Sequence, residues 1–106
     1  MYITSTAWIE SDSQDNATAT ATKDGNDLTT QCLDGVMASF TTNPSAPKLL
    51  TIKDGDTTIA EFYLTNSVSI PLYGVICTEG NAVSVELEAS GTSGNLGKVS
   101  LIGHPR

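Results

Sequence analysis

Apolar and polar positions along the chain alternate with a period of two, the spacing a β-strand imposes on its two faces. The pattern is cleanest over residues 82–89. There Val83, Val85, Leu87 and Ala89 fall on one side and Ser84, Glu86 and Glu88 on the other. Such a strand is expected to set its first group in a core and its second in water. Residues 17–22, ATATAT, alternate small apolar residues with threonine and predict a strand with a shallow inner face. Residues 28–42 predict another, interrupted at Asp34-Gly35 by either a bulge or a turn. Beyond the break Val36, Ala38 and Phe40 oppose Met37, Ser39 and Thr41. In residues 67–72 the apolar side carries Val68, Ile70 and Leu72, while Pro71 lacks an N–H and suggests a sheet edge. Residues 73–77 are short and apolar, and residues 96–103 close the pattern with Val99 and Leu101 inward.

The strongest local signal is residues 48–64, KLLTIKDGDTTIAEFYL, where two β-rich runs flank Asp54-Gly55. That dipeptide readily supplies the positive φ angles of a tight reversal, so the stretch predicts a β-hairpin. Two registers fit. A two-residue turn at Asp54-Gly55 pairs Ile52 with Thr57 and Leu50 with Ile59, and a longer turn through Thr57 pairs Ile52 with Ile59. In either, Leu50, Ile52, Ile59 and Tyr63 share one face. Leu49, Ala60, Phe62 and Leu64 occupy the other, so both faces of the hairpin are expected to be covered.

Seven or eight short strands separated by turns, with no helical stripe, predict an all-β protein. Its expected form is a single antiparallel β-sandwich or jelly roll. The domain is expected over residues 17–106, preceded by an N-terminal extension or arm over residues 1–16. Tyr2, Ile3, Trp8 and Ile9 are apolar islands in that acidic stretch. They are candidate interface residues, anchoring the segment on a neighbour's sheet edge or on its own domain.

Length and charge narrow the function classes. At 106 residues the chain suits one domain able to bury roughly 65% of its unfolded surface. Five basic against twelve acidic residues leave a net charge of −7. That opposes binding to a nucleic-acid backbone, which needs Lys and Arg to displace counterions, and equally to an anionic membrane. The first residues show neither the basic region nor the apolar run of a secretory signal. Asn16-Ala17-Thr18 therefore has no secretory context as a sequon, and Cys32 and Cys77 are expected as reduced, buried thiols, with a disulfide between them as the alternative.

Catalytic chemistry finds little to use. His104 is the one histidine, and its place near the C-terminus predicts a solvated tail rather than a nucleophile's base. Glu86 and Glu88 lie on the exposed face of one strand. Asp24-Gly25-Asn26-Asp27 and Asp54-Gly55-Asp56 offer hard oxygen ligands in tight turns, as calcium sites do, but without an EF-hand loop. Turn residues without an ion are the expectation. No catalytic, cofactor-binding or metal-binding residue is assigned, and no cofactor is implied.

The order of motifs resembles a known group. VMASF at 36–40, LLTIKDG at 49–55, EFY at 61–63, GNAVSVEL at 80–87 and ASG at 89–91 follow one another. With the segment from Gly94 through Gly103, this order is similar to small β-sandwich structural proteins of tailed bacteriophages and prophages. The resemblance covers residues 17–103 and implies a non-enzymatic virion protein of the capsid cement, decoration or head-fibre type. It implies the major capsid protein as partner, a homo-oligomer (trimer or dimer), and a place on the capsid exterior after synthesis in the host cytoplasm. The alternative is a fibre or tail module that binds a glycan or protein on the host surface.

Overall fold

The computed structural model describes residues 6–106, which form eight strands and no helix. In chain order they are β1 (Trp8–Asp15), β2 (Ala19–Lys23), β3 (Gln31–Phe40) and β4 (Lys48–Asp54). β5 (Thr57–Leu64), β6 (Val68–Ile76), β7 (Val83–Leu87) and β8 (Leu96–Pro105) complete the set. Two antiparallel four-stranded sheets have the orders β1-β8-β3-β6 and β2-β7-β4-β5. First pairs with last, second with seventh, third with sixth and fourth with fifth. A long antiparallel ribbon with β4–β5 at its tip has been wrapped into two facing layers, which is the jelly-roll form of the sandwich.

The alternation in the sequence becomes the core. Val83, Val85 and Leu87 of β7 meet Leu50 and Ile52 of β4, Ala19 and Ala21 of β2, and Leu33, Val36, Val99 and Leu101 from the other sheet. All are essentially without solvent exposure. The alanines of β2 give the shallow inner face that their size dictates. The interruption at Asp34-Gly35 is a bulge, because the register of β3 shifts against both neighbours between Leu33 and Gly35. β6, with Pro71, is an edge strand.

The hairpin differs from both expected registers. Asp54 pairs with Thr57, so the two-residue turn is Gly55-Asp56, with Gly55 at a φ of 61°. A second irregularity follows between Ile52 and Lys53, after which Ile52 opposes Ala60 and Leu50 opposes Phe62. This bulge places one extra residue on β5 and reverses the face of everything beyond it. Ala60, Phe62 and Leu64 therefore join Leu50 and Ile52 on the inner face, while Ile59 and Tyr63 point outward. The outer face of the hairpin is not covered by another layer.

The N-terminal stretch also differs. Trp8–Asp15 is not an arm outside the sandwich but its first strand, paired with β8 from Trp8↔Gly103 to Asp15↔Leu96. His104 is likewise in a ladder, opposite Cys32, and its Nδ1 lies 2.7 Å from Asp34 Oδ2. The bulge is what brings Asp34 to that position, and the expected solvated tail is a strand.

Candidate interaction surface

Among the described residues, no group of three or more His, Cys, Asp or Glu side chains comes together as a metal site would require. The acid that opens the hairpin turn serves the fold. Asp54 accepts hydrogen bonds from the Thr78 amide at 2.9 Å, the Thr78 hydroxyl at 2.8 Å and Asn81 Nδ2 at 3.0 Å. This ties the hairpin tip to the loop before β7. Glu86, on the outer face of β7, is half-buried beside Lys53, whose Nζ stands 3.1 Å from Glu86 Oε2. Glu88 accepts from the Leu49 amide at 2.9 Å. Cys77 lies in the core and Cys32 on the opposite face of its sheet, next to core-facing Leu33; both are buried and free. Burial, with the nearby Asp54 charge, pushes the Cys77 thiol up to about 11.

The candidate anchors separate. Tyr2 and Ile3 lie outside the described residues. Trp8 packs against the sandwich's own core, and its indole Nε1–H donates to Gln31 Oε1 at 2.9 Å. A side chain on Gly103 would come within 2.5 Å of the Trp8 ring, so the absence of one makes room for the indole. Lys23 of β2 places its ammonium 5.7 Å from the centre of that ring. Ile9 points the other way and is largely exposed on the outer face of the first sheet.

What remains as an interaction surface is set by the sheet edges. Each sheet ends in two strands whose outer backbone groups have no strand partner among the described residues, β1 and β6 in one and β2 and β5 in the other. Edges attract foreign strands unless charge, proline, brevity or irregularity blunts them. β1 carries Glu10, Asp12 and Asp15. β2 is only five residues long and ends in Lys23. β6 has Pro71, and Tyr73 and Gly74 at φ of 55° and 74° break its extended backbone. β5 has no proline, and Glu61 is its one charge.

β5 also exposes apolar surface. Phe62 is 36% exposed although it faces inward, and Tyr63 is 76% exposed on the outer face. The closest approaches between the sheets run through β1–β2, β2–β8 and β7–β8, at the far side of the molecule from β5 and β6. The open side continues into β6, where Tyr73 is 90% exposed and Val75 and Ile76 are partly so. Residues 62–78 carry no charged side chain, the longest such run in the chain. That run is legible in the sequence, and it marks this surface better than the scattered apolar residues of the N-terminus do.

The chain matches no family model and no curated protein. Neither comparison links it to phage structural proteins.

Proposed function

We propose that this chain is a non-enzymatic virion protein of a tailed bacteriophage or prophage that binds the outer surface of the capsid as a small oligomer. The observation that carries the reading is the open side along β5 and β6, apolar and charged only at Glu61, on a molecule of net charge −7. A cement protein needs one surface that can be buried and an exterior that resists non-specific association, and acidic residues supply the second. The jelly roll is a fold that viral capsid domains use, and this supports the reading by analogy of architecture. The motif order described above supports it independently.

Binding the assembled shell but not its dissociated subunits stabilises the shell by mass action, by about 2.7 kcal/mol per site at a hundredfold excess over Kd. Particles made with and without the protein, compared by cryo-electron microscopy and by thermal or osmotic challenge, test this. The expected result is density on the shell exterior together with raised resistance. Density confined to a tail tip, with unchanged shell resistance, overturns it in favour of a host-binding fibre module.

A further inference from the structure

At one end of the sandwich, β1 begins, β2 ends and β3 begins around a cleft of about 530 Å³. Trp8, Lys23 and Gln31 are those three residues, and the loop after β2 adds Asp24, Asn26 and Thr29 to the wall. The size falls within the range of small-molecule sites. Gln31 is buried, and chemistry decides how its amide is turned. The Trp8 indole N–H can only donate, so the Gln31 atom 2.9 Å from it is the carbonyl oxygen. The amide nitrogen, Nε2, is left over. It donates to no other group among the described residues, yet no fully buried side-chain nitrogen or oxygen there lacks a partner. Both hold only if Nε2 is reached from outside, and the cleft is the opening that Gln31 lines. A buried donor, held in place by an indole and open to a cleft, is a preformed contact for a ligand's acceptor.

The facing wall is held just as firmly. Gly25 packs so close to the backbone of residues 80–82 that a Cβ there would collide with the Gly80 carbonyl oxygen. The Gly80 amide donates to the Thr29 carbonyl at 2.9 Å, and the Thr29 amide to the Asn26 carbonyl at 3.0 Å. These bonds use backbone groups only. The side chains of Asp24, Asn26 and Thr29 make no hydrogen bond among the described residues and stay available to the cleft.

We propose that this cleft binds a neutral saccharide unit of a glycan. Charge balance narrows the ligand class. Lys23 and Asp24 are adjacent and opposite in sign, so an anion would meet the carboxylate and a cation the ammonium. The uncharged members mix donors and acceptors: the Gln31 amide nitrogen, the Asn26 amide and the Thr29 hydroxyl. A ligand that satisfies them together must present donors and acceptors on neighbouring atoms and carry no net charge. Vicinal hydroxyls on a sugar ring do so, because each both donates and accepts. Asp24 accepts from a sugar hydroxyl, and Gln31 Nε2 donates to a hydroxyl or ring oxygen. The Lys23 ammonium stands 5.7 Å from the centre of the Trp8 ring and covers one of its faces. Recognition therefore rests on the hydrogen bonds more than on stacking. The site goes beyond the capsid reading and does not rest on it, since a chain on a shell and a chain on a tail present the same cleft.

Trp8 is the only tryptophan in the chain, so intrinsic fluorescence reports from the cleft itself. The intact chain is titrated with glucose, galactose, N-acetylglucosamine and their β-linked disaccharides, and with acetate and inorganic phosphate as charged probes. The expected result is a saturable change in Trp8 emission with at least one sugar, matched by heat in calorimetry, and none with the anions. Gln31→Glu keeps an oxygen for the indole but removes the N–H groups that open on the cleft. Asp24→Asn replaces one carboxylate oxygen at an exposed position and leaves the fold intact. Each should raise the sugar Kd about tenfold or more, whereas Glu61→Gln, on β5, should leave it unchanged. A flat titration across the sugars overturns the proposal. Tighter binding of acetate or phosphate overturns it too, and makes Lys23 the centre of an anion site. So does a sugar response that both Gln31→Glu and Asp24→Asn leave intact, which would be an effect of the solute elsewhere than in this cleft.

Discussion

Along β1 and β2 the sandwich is shut by polar chemistry, and along β5 and β6 it is left open. On the shut side, the Trp8 indole fills the space beside Gly103, donates to Gln31 and lies under the Lys23 ammonium. Further along, Asp12 of β1 accepts a hydrogen bond from the Thr20 amide of β2 at 2.9 Å and so ties one sheet to the other. On the open side, Phe62 sits on an inner face with a third of its surface still in water. The difference shows how one acidic chain can be soluble and yet carry a face that another molecule can bury. β1 and β2 carry four charged side chains, and β5 and β6 carry one.

The largest effect should come from the core that both sides share. Leu87→Ala leaves a cavity between the sheets and should cost about 2–5 kcal/mol of unfolding free energy. Phe62→Ala should cost only about 1–2 kcal/mol, because a partly exposed ring has less transfer free energy to lose. Equal losses in denaturant melts of the two would show that the open side is as well packed as the centre, and the comparison would fail.

Next comes the shut side itself. Trp8→Phe keeps most of the ring's packing but removes the donor to Gln31, a residue only 4% exposed. Leaving that amide oxygen unpaired should cost about 1–3 kcal/mol. A loss indistinguishable from zero in thermal unfolding would mean that Trp8 closes the edge by packing alone.

Much of this architecture was legible along the chain, because strands with one buried face write their period directly. Val83, Val85 and Leu87, the edge position of Pro71 and the break at Asp34-Gly35 all follow from local patterns. The hairpin faces did not. One bulge near Ile59 shifts the register by a single residue and exchanges Tyr63 for Phe62 on the inner face. No local propensity in TTIAEFYL announces it. β1 was hidden for a different reason: its inner positions Glu10, Asp12 and Gln14 lie at the rim of the core, where polar residues bond to β2 or water, so the alternation carries no hydrophobic signal. His104 looked like a tail because the strand pairing that orders it comes from Cys32, far away in sequence. The open edge is intermediate. Its absence of charge is visible in residues 62–78, but an uncharged run becomes an edge only when the sheet order is known.

The smallest expected effect concerns the tie between β1 and β2. The Thr20 amide, and after it the Gln14 side chain, hold the Asp12 carboxyl below its ordinary value of 3.8. Folding therefore favours the ionised form, and the sign follows from linkage: the unfolded chain binds the proton more readily than the folded one. The contribution is fully present above the unfolded carboxylate range and is lost as pH falls through the depressed folded value. Asp12→Asn keeps an oxygen to accept from Thr20 but has no proton to gain. The melting temperature of the wild type should exceed that of Asp12→Asn at neutral pH, and the gap should narrow as pH drops below about 4. A gap constant from neutral to acid pH would show that the carboxylate's charge contributes nothing to closing this side. The hydrogen bond from Thr20 would then act by geometry alone, and the contrast with the open side would rest on Trp8 and its neighbours.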